Sequence, residues 1–260
     1  MPTKLKLDVV KEPDFLIEET DSQIVITGTT FTMPKFGDSV LATKHLTIRA
    51  YHVTLTDNIL APGNHVAILA RKITVSDPII ISTAGQHASD WSIAANNGRT
   101  AGANGTPGRP GRSGGAGGKI LLACEELDGM FLTLDASGGN GGKGETGGSG
   151  AQGANGRNGD DSTRGIGNNP GERGHDGGKG GDAGAGGPGG KGGDAGTIEL
   201  HIPFDPQEHG MNLIVAPGKG GQPGANGQPG TGGLPGRGGL GQYCWERFPL
   251  EPDIHHPFFR

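Results

Sequence analysis

The stretch GKGGDAGAGGPGGKGGDAG, residues 178–196, carries glycine at every third position without a slip. The runs 102–117, 138–159 and 218–239 keep the same period. A three-residue period matches the extended left-handed polyproline-II helix, which has three residues per turn and rises ~3.1 Å per residue. Such a helix makes no internal hydrogen bonds, so its buried amides must bond to neighbouring chains. A glycine face lets another backbone come close, because no Cβ intervenes.

Two assemblies use this geometry: a collagen triple helix of three chains, and a bundle of polyglycine-II helices from one chain. Collagen wants glycine near one-third, with proline and hydroxyproline at about 15–20% or more. Here glycine is 54 of 260 residues and proline 18, and strand-like segments interrupt the runs. Gly178-Lys179-Gly180, Gly187-Pro188-Gly189 and Gly190-Lys191-Gly192 leave two faces of three bare. Collagen needs one bare face, whereas two suit a helix packed among several neighbours. The third face carries Lys179, Asp182, Ala185, Pro188, Lys191 and Asp194. A disordered linker is the other way to use so much glycine, but a linker needs no strict register.

These runs resemble those of single-chain polyglycine-II bundle proteins, the group that includes the snow-flea antifreeze protein and the tip adhesins of certain phage tail fibres. They are also similar to collagen-like proteins with GGN-type repeats. The resemblance covers about half of the chain and implies a fold more than a function.

Four segments outside the runs align as a repeat of strand, turn, strand and small-residue exit. They are Leu46–Ala50 with Val53–Asp57, ending Ala61-Pro62-Gly63; Val66–Ala70 with Ile73–Asp77, ending Thr83-Ala84-Gly85; Lys119–Ala123 with Met130–Asp135, ending Ala136-Ser137-Gly138; and Thr197–Ile202 with Met211–Val215, ending Ala216-Pro217-Gly218. Short apolar strands at this spacing predict coils of a parallel β-solenoid, whose faces are buried by stacking neighbours. An antiparallel sandwich of the same strands is the alternative. Two further strands are expected at Ser22–Gly28 and Thr29–Met33.

The expected fold is therefore all-β: short parallel β-solenoid coils with long Gly-X-Y insertions packed as a single-chain polyglycine-II bundle. Residues 1–45 form an N-terminal β cap. Residues 46–85 form the first coils, continued by strands in 119–135 and 197–217. Residues 86–118, 138–196 and 218–241 form the bundle. The tail 242–260 holds five of the twelve aromatic residues and reads as a cap or a contact for another subunit or domain.

Composition narrows the function. A hydrophobic content of 32% concentrates the core outside the glycine runs, and a net charge of −5 gives no reason to expect nucleic-acid binding. No apolar stretch approaches the ~20 residues of a membrane span, so no membrane insertion is expected. The start, MPTKLKLDVVKEPDF, has no continuous apolar region of a classical signal peptide. The cellular address stays open, with an extracellular or particle-associated place reached by another route among the alternatives. Cys124 and Cys244 make no disulfide framework.

Catalytic signatures are weak. Gly184–Gly189 satisfies GxGxxG but neither follows a strand nor opens a helix. His87, Ser89 and Asp90 lie near Trp91 without a nucleophile elbow. His255, His256 and Asp253 lack the spacing of a metal site. No catalytic residue, metal or cofactor is expected. Candidate binding residues are Trp91 and Trp245, as aromatics suited to a sugar or an interface, with Arg164, Asn168 and Asn169 at the polar tip 162–170.

The leading expectation is a non-catalytic structural or adhesive module, a rigid projection presenting loop tips within a larger surface or fibre assembly. Its partners would be that assembly, further domains after residue 260, and a surface glycan or protein ligand. One alternative is an ice- or surface-binding protein, implied by the antifreeze resemblance. The other is a carbohydrate-active enzyme on the β-solenoid.

Overall fold

The computed structural model describes residues 15–33, 41–129, 131–162 and 171–240. These residues are strand-rich and contain no helix. The chain divides into two compact units, residues 1–95, 107–148 and 185–227 in the first, and 96–106, 149–184 and 228–260 in the second.

Among the described residues, all strands lie in the first unit. They are β1 (Phe15–Glu19), β2 (Gln23–Thr32), β3 (His45–Leu55), β4 (Ile59–Leu60), β5 (His65–Val75), β6 (Ile79–Ser82), β7 (Lys119–Ala123), β8 (Glu126–Asp128), β9 (Leu132–Asp135), β10 (Thr197–His201) and β11 (Asn212–Ile214). A seven-stranded sheet has the order β1-β2-β3-β5-β7-β10, with β8 beside the second half of β5. A four-stranded sheet has the order β11-β9-β6-β4. Among the described residues, β1 with β2 is the antiparallel pair and the other pairs are parallel. The chain visits the two sheets in turn, and equivalent residues fall in register. Ile24, Leu46, Val66 and Ile120 are successive partners. Ile59, Ile81 and Leu134 match in the smaller sheet. All seven are buried, so each row forms a continuous apolar layer.

The strand boundaries depart from the sequence reading in three places. The segments 22–28 and 29–33 are one strand, β2, not two. The pairs 46–50 with 53–57, and 66–70 with 73–77, are likewise joined into β3 and β5. Within β3 the buried residues are Leu46, Ile48, Val53 and Leu55. The step from 48 to 53 is odd, so the inward face switches there. Cross-strand pairing skips Tyr51 and Arg71 and resumes at His52 with Lys72, which makes this a bend rather than a break. Third, the repeat alignment was out of step. Leu132–Asp135 pairs with Ile79–Ser82 in the other sheet, and it is Glu126–Asp128 that continues beside Lys72–Thr74. The two- and four-residue strands β4 and β6 escaped the reading because they are too short to show a period.

Ala61-Pro62-Gly63-Asn64 turns the chain from β4 into β5. Asn64 N–H donates to the Ala61 carbonyl (2.9 Å), and Gly63 takes φ +70°. Pro followed by glycine with positive φ is the requirement of a type II turn.

The glycine runs have no ladder of strands, yet their backbones are hydrogen-bonded with a three-residue period. In the first unit, Gly138, Gly141, Gly144 and Gly147 donate to the carbonyls of Ala216, Lys219, Gln222 and Ala225. The next residues in register, Gly139, Gly142 and Glu145, donate to Gly115, Arg112 and Arg109 on another run. The third family of amides, at Asn140 and Lys143, is met by the side chains of His87 and Asp90. Successive amides thus turn to three different neighbours. In the second unit, Gly156 and Gly159 donate to Leu234 and Arg237, while Gly178 and Gly181 donate to Ala154 and Ala151.

Asparagine before glycine closes many of these contacts. Asn155 and Asn158 Oδ1 accept from Leu234 and Arg237 N–H, the residues whose carbonyls accept from Gly156 and Gly159. Asn104 does the same for Asp182, and in the first unit Asn140 for Lys219.

Space explains the glycines. A Cβ on Gly190 would lie 1.9 Å from the Arg112 carbonyl oxygen, whereas on Gly220 its nearest neighbour would be 3.7 Å away. Gly190→Ala is therefore expected to destabilise the protein by at least about 1–3 kcal/mol, the cost of overpacking. Gly220→Ala should be neutral or stabilise by about 0.4–1 kcal/mol through the unfolded state. Thermal unfolding of the two variants checks this; equal melting temperatures would remove close packing as the reason for the period.

Candidate binding surfaces

Trp91 and the residues around it form the first candidate, all within the first unit. Ala88 N–H donates to the Asn140 carbonyl and Ala95 N–H to that of Thr146. Seven residues on one run therefore span six on the other, and the surplus falls around Trp91. At the same level the glycine register of the opposing run is broken. Positions 139, 142, 148, 151 and 154 hold Gly or Ala, but 145 holds glutamate.

Glu145 is a buried carboxylate, with its side chain 3% exposed. Arg109 clamps it: Nε and the backbone N–H donate to Oε2 (2.9 and 2.8 Å), and Nη2 donates to Oε1 (3.0 Å). Burying an ionised carboxylate is costly unless it is paired and hydrogen-bonded, and a bidentate guanidinium meets that need. The Arg109 side-chain bond, then its backbone N–H, hold the Glu145 carboxyl below the usual range against the opposing effect of burial. The same bond raises Arg109.

This guanidinium lies over the indole of Trp91, 3.9 Å from the ring centroid, with that of Arg112 at 4.8 Å. Trp91 Nε1 donates to the Pro110 carbonyl (3.0 Å). Arg112 Nη1 donates to Ser89 Oγ (2.8 Å). The half-buried tryptophan thus uses its N–H and part of its ring inside the chain. His87, Ser89 and Asp90 face Asn140, Arg112 and Lys143 respectively, not one another. Of the other candidates, Arg164, Asn168, Asn169 and Trp245 lie outside the described residues, as does Cys244.

The second candidate is a groove of about 570 Å³ on the exposed side of the seven-stranded sheet, at the strand bends. Its floor holds Gly28, Ala50 and Ala70, successive partners across β2, β3 and β5. Its walls carry Arg49, Tyr51, Arg71 and His201. Arg71 donates to the Tyr51 hydroxyl and pairs with Glu125 (3.0 Å). Cys124 also lines the groove as a free, buried thiol. Burial pushes it up to about 11, so it is held as the thiol and is a poor nucleophile at neutral pH.

Among the described residues no group of three His, Cys, Asp or Glu could hold a metal ion. No helix there is long and apolar enough to cross a membrane. Sequence reasoning named Trp91 as a binding candidate and did not single out Glu145 or the groove. The signal for Glu145 was present, as the single large residue at a bare position between 139 and 154. The groove is assembled from five strands and has no local signal.

A carboxylate held below its usual range contributes stability above that range and loses it as pH falls. The wild-type melting temperature should therefore drop steeply as pH falls below about 4.5, the ordinary glutamate value. Glu145→Gln should melt lower than wild type at pH 7 and show a shallower acid slope, so that the two curves converge. Parallel pH curves would place the acid sensitivity elsewhere.

No protein-family model matches the chain, and no curated protein or solved structure is significantly similar to it.

Proposed function

We propose that the chain is a non-catalytic structural or adhesive module. In this reading its parallel strands are the coils of a short β-solenoid, and its glycine runs are polyglycine-II helices packed as a bundle. The solenoid sets the register of the runs, and the loop tips are presented for recognition within a larger surface or fibre assembly.

The observation that carries the reading is the three-residue hydrogen-bond period of the runs. Gly187, Gly190 and Gly193 donate to Glu145, Gly142 and Gly139, while their own carbonyls accept from Gly224, Gly221 and Gly218. Extended backbone that is bonded on several sides resists bending without needing an apolar core, which suits a chain of low hydrophobic content. The side chains of the third position remain outside: Lys179, Asp182, Pro188, Lys191 and Asp194 are exposed. These charged groups do not make the flat face of small residues on which ice binding depends, and so favour the adhesive reading over that alternative.

Two measurements test it. Light scattering with small-angle scattering should return a monomer; a rod-like trimer would mean collagen. Replacing residues 163–170 by a Gly-Ser segment of equal length should change the protein's profile on a printed glycan array without lowering its melting temperature. An unchanged profile would overturn the role of the tip.

A further inference from the structure

We infer that the groove at the strand bends is a binding site for an acidic polysaccharide, a chain of uronate-type sugars. None of the lining residues belongs to the tip 162–170.

The backbone of the groove excludes one class of occupant. β3 and β5 have partners on both sides, and β7 lies between β5 and β10. A peptide that recognises a sheet does so by adding a strand to a free edge, and the floor at Gly28, Ala50 and Ala70 lies in mid-sheet, with His201 alone of the lining residues on the edge strand β10. The groove's occupant must be held by side chains.

The side chains then specify the chemistry. Arg71 is committed to Glu125 and Tyr51. Arg49 is exposed and makes no ion pair among the described residues. The walls therefore hold one guanidinium whose charge is not compensated locally, and a guanidinium presents a planar fork that fits a carboxylate. Tyr51, 55% exposed, offers part of an aromatic ring, its hydroxyl accepting from Arg71 and the Arg71 guanidinium lying 5.2 Å from the ring centroid. The exposed His201 adds a hydrogen-bonding ring at the other end. Ala50 and Ala70, packed against the core, line the floor between these groups.

Spacing fits a chain rather than a single small anion. Arg49, Leu69, Ala123 and His201 are successive partners on β3, β5, β7 and β10. Three strand spacings place Arg49 and His201 roughly 14 Å apart. This is long enough for several linked sugar rings running across the strands. A nucleic acid is held through many cations at once, whereas the groove carries one uncompensated guanidinium, so the polysaccharide is met at a single carboxylate by Arg49 while Tyr51 and His201 contact its sugar rings.

The test is affinity electrophoresis of the full chain in native gels containing polygalacturonate, dextran or single-stranded oligo(dT). Polygalacturonate should retard the wild type and dextran should not, with retardation falling as salt is added. Arg49→Glu should weaken retardation at least tenfold with an unchanged melting temperature, and Tyr51→Ala should weaken it as well. Arg237→Glu, an equal charge change in the second unit, should leave it intact, as should the replacement of 163–170. The inference is overturned if the wild type is not retarded, if dextran or oligo(dT) retards it as strongly, or if Arg49→Glu and Arg237→Glu behave alike. Because Arg49 is exposed, its variant keeps the test open should Tyr51→Ala fold poorly.

Discussion

Every buried amide of an extended glycine run must find its acceptor on a neighbouring segment, backbone or side chain. A helix or a hairpin satisfies its own backbone locally; a run such as 138–148 cannot. Its amides turn successively to 216–225, to 109–115 and to the side chains of His87 and Asp90. Removing one neighbour would strand a whole family of donors. The runs are consequently mutual conditions for one another, and the close approach this demands leaves no room for a Cβ at most glycines on the shared faces.

Asparagine and glutamate modify that rule in different ways. Asn104, Asn155 and Asn158 in the second unit, and Asn140 in the first, stand immediately before a donating glycine and return a carboxamide oxygen to the partner residue. The recurrence of Asn-Gly in the runs has this physical reason. Glu145 is the opposite case, a large charged residue inserted where the period calls for none. It is accommodated because the opposing run carries one extra residue at that level and because Arg109 meets both carboxylate oxygens. The Trp91 indole stacks on the same guanidinium. Charge, aromatic stacking and a register slip occur together because each makes the others tolerable.

The strands obey a different constraint. Their apolar residues are buried by stacking equivalent positions in parallel register, so small residues in one layer meet small residues in the next. Gly28, Ala50 and Ala70 coincide at the bends for that reason. The same coincidence hollows the groove, and the flanking outward positions of the same strands supply Arg49, Tyr51 and Arg71. A feature of the core's geometry thereby shapes the surface that carries Arg49, Tyr51 and Arg71.

The sequence by itself determined that the glycine runs need close neighbours, because the period of three is written in single residues. It likewise marked most of the apolar strands, since alternation is local. It did not reveal that β3 and β5 continue through their bends, because the switch of inward face at 48–53 imitates a chain break. Nor did it reveal that Leu132–Asp135 belongs beside Ile79–Ser82, since that pairing spans 53 residues and short strands carry too few positions to fix their register. The partner of Glu145 and the assembly of the groove from five strands were decided only in the tertiary structure. Both depend on which distant backbones lie side by side, a property of hydrogen-bond geometry across the whole first unit that no single stretch of residues contains.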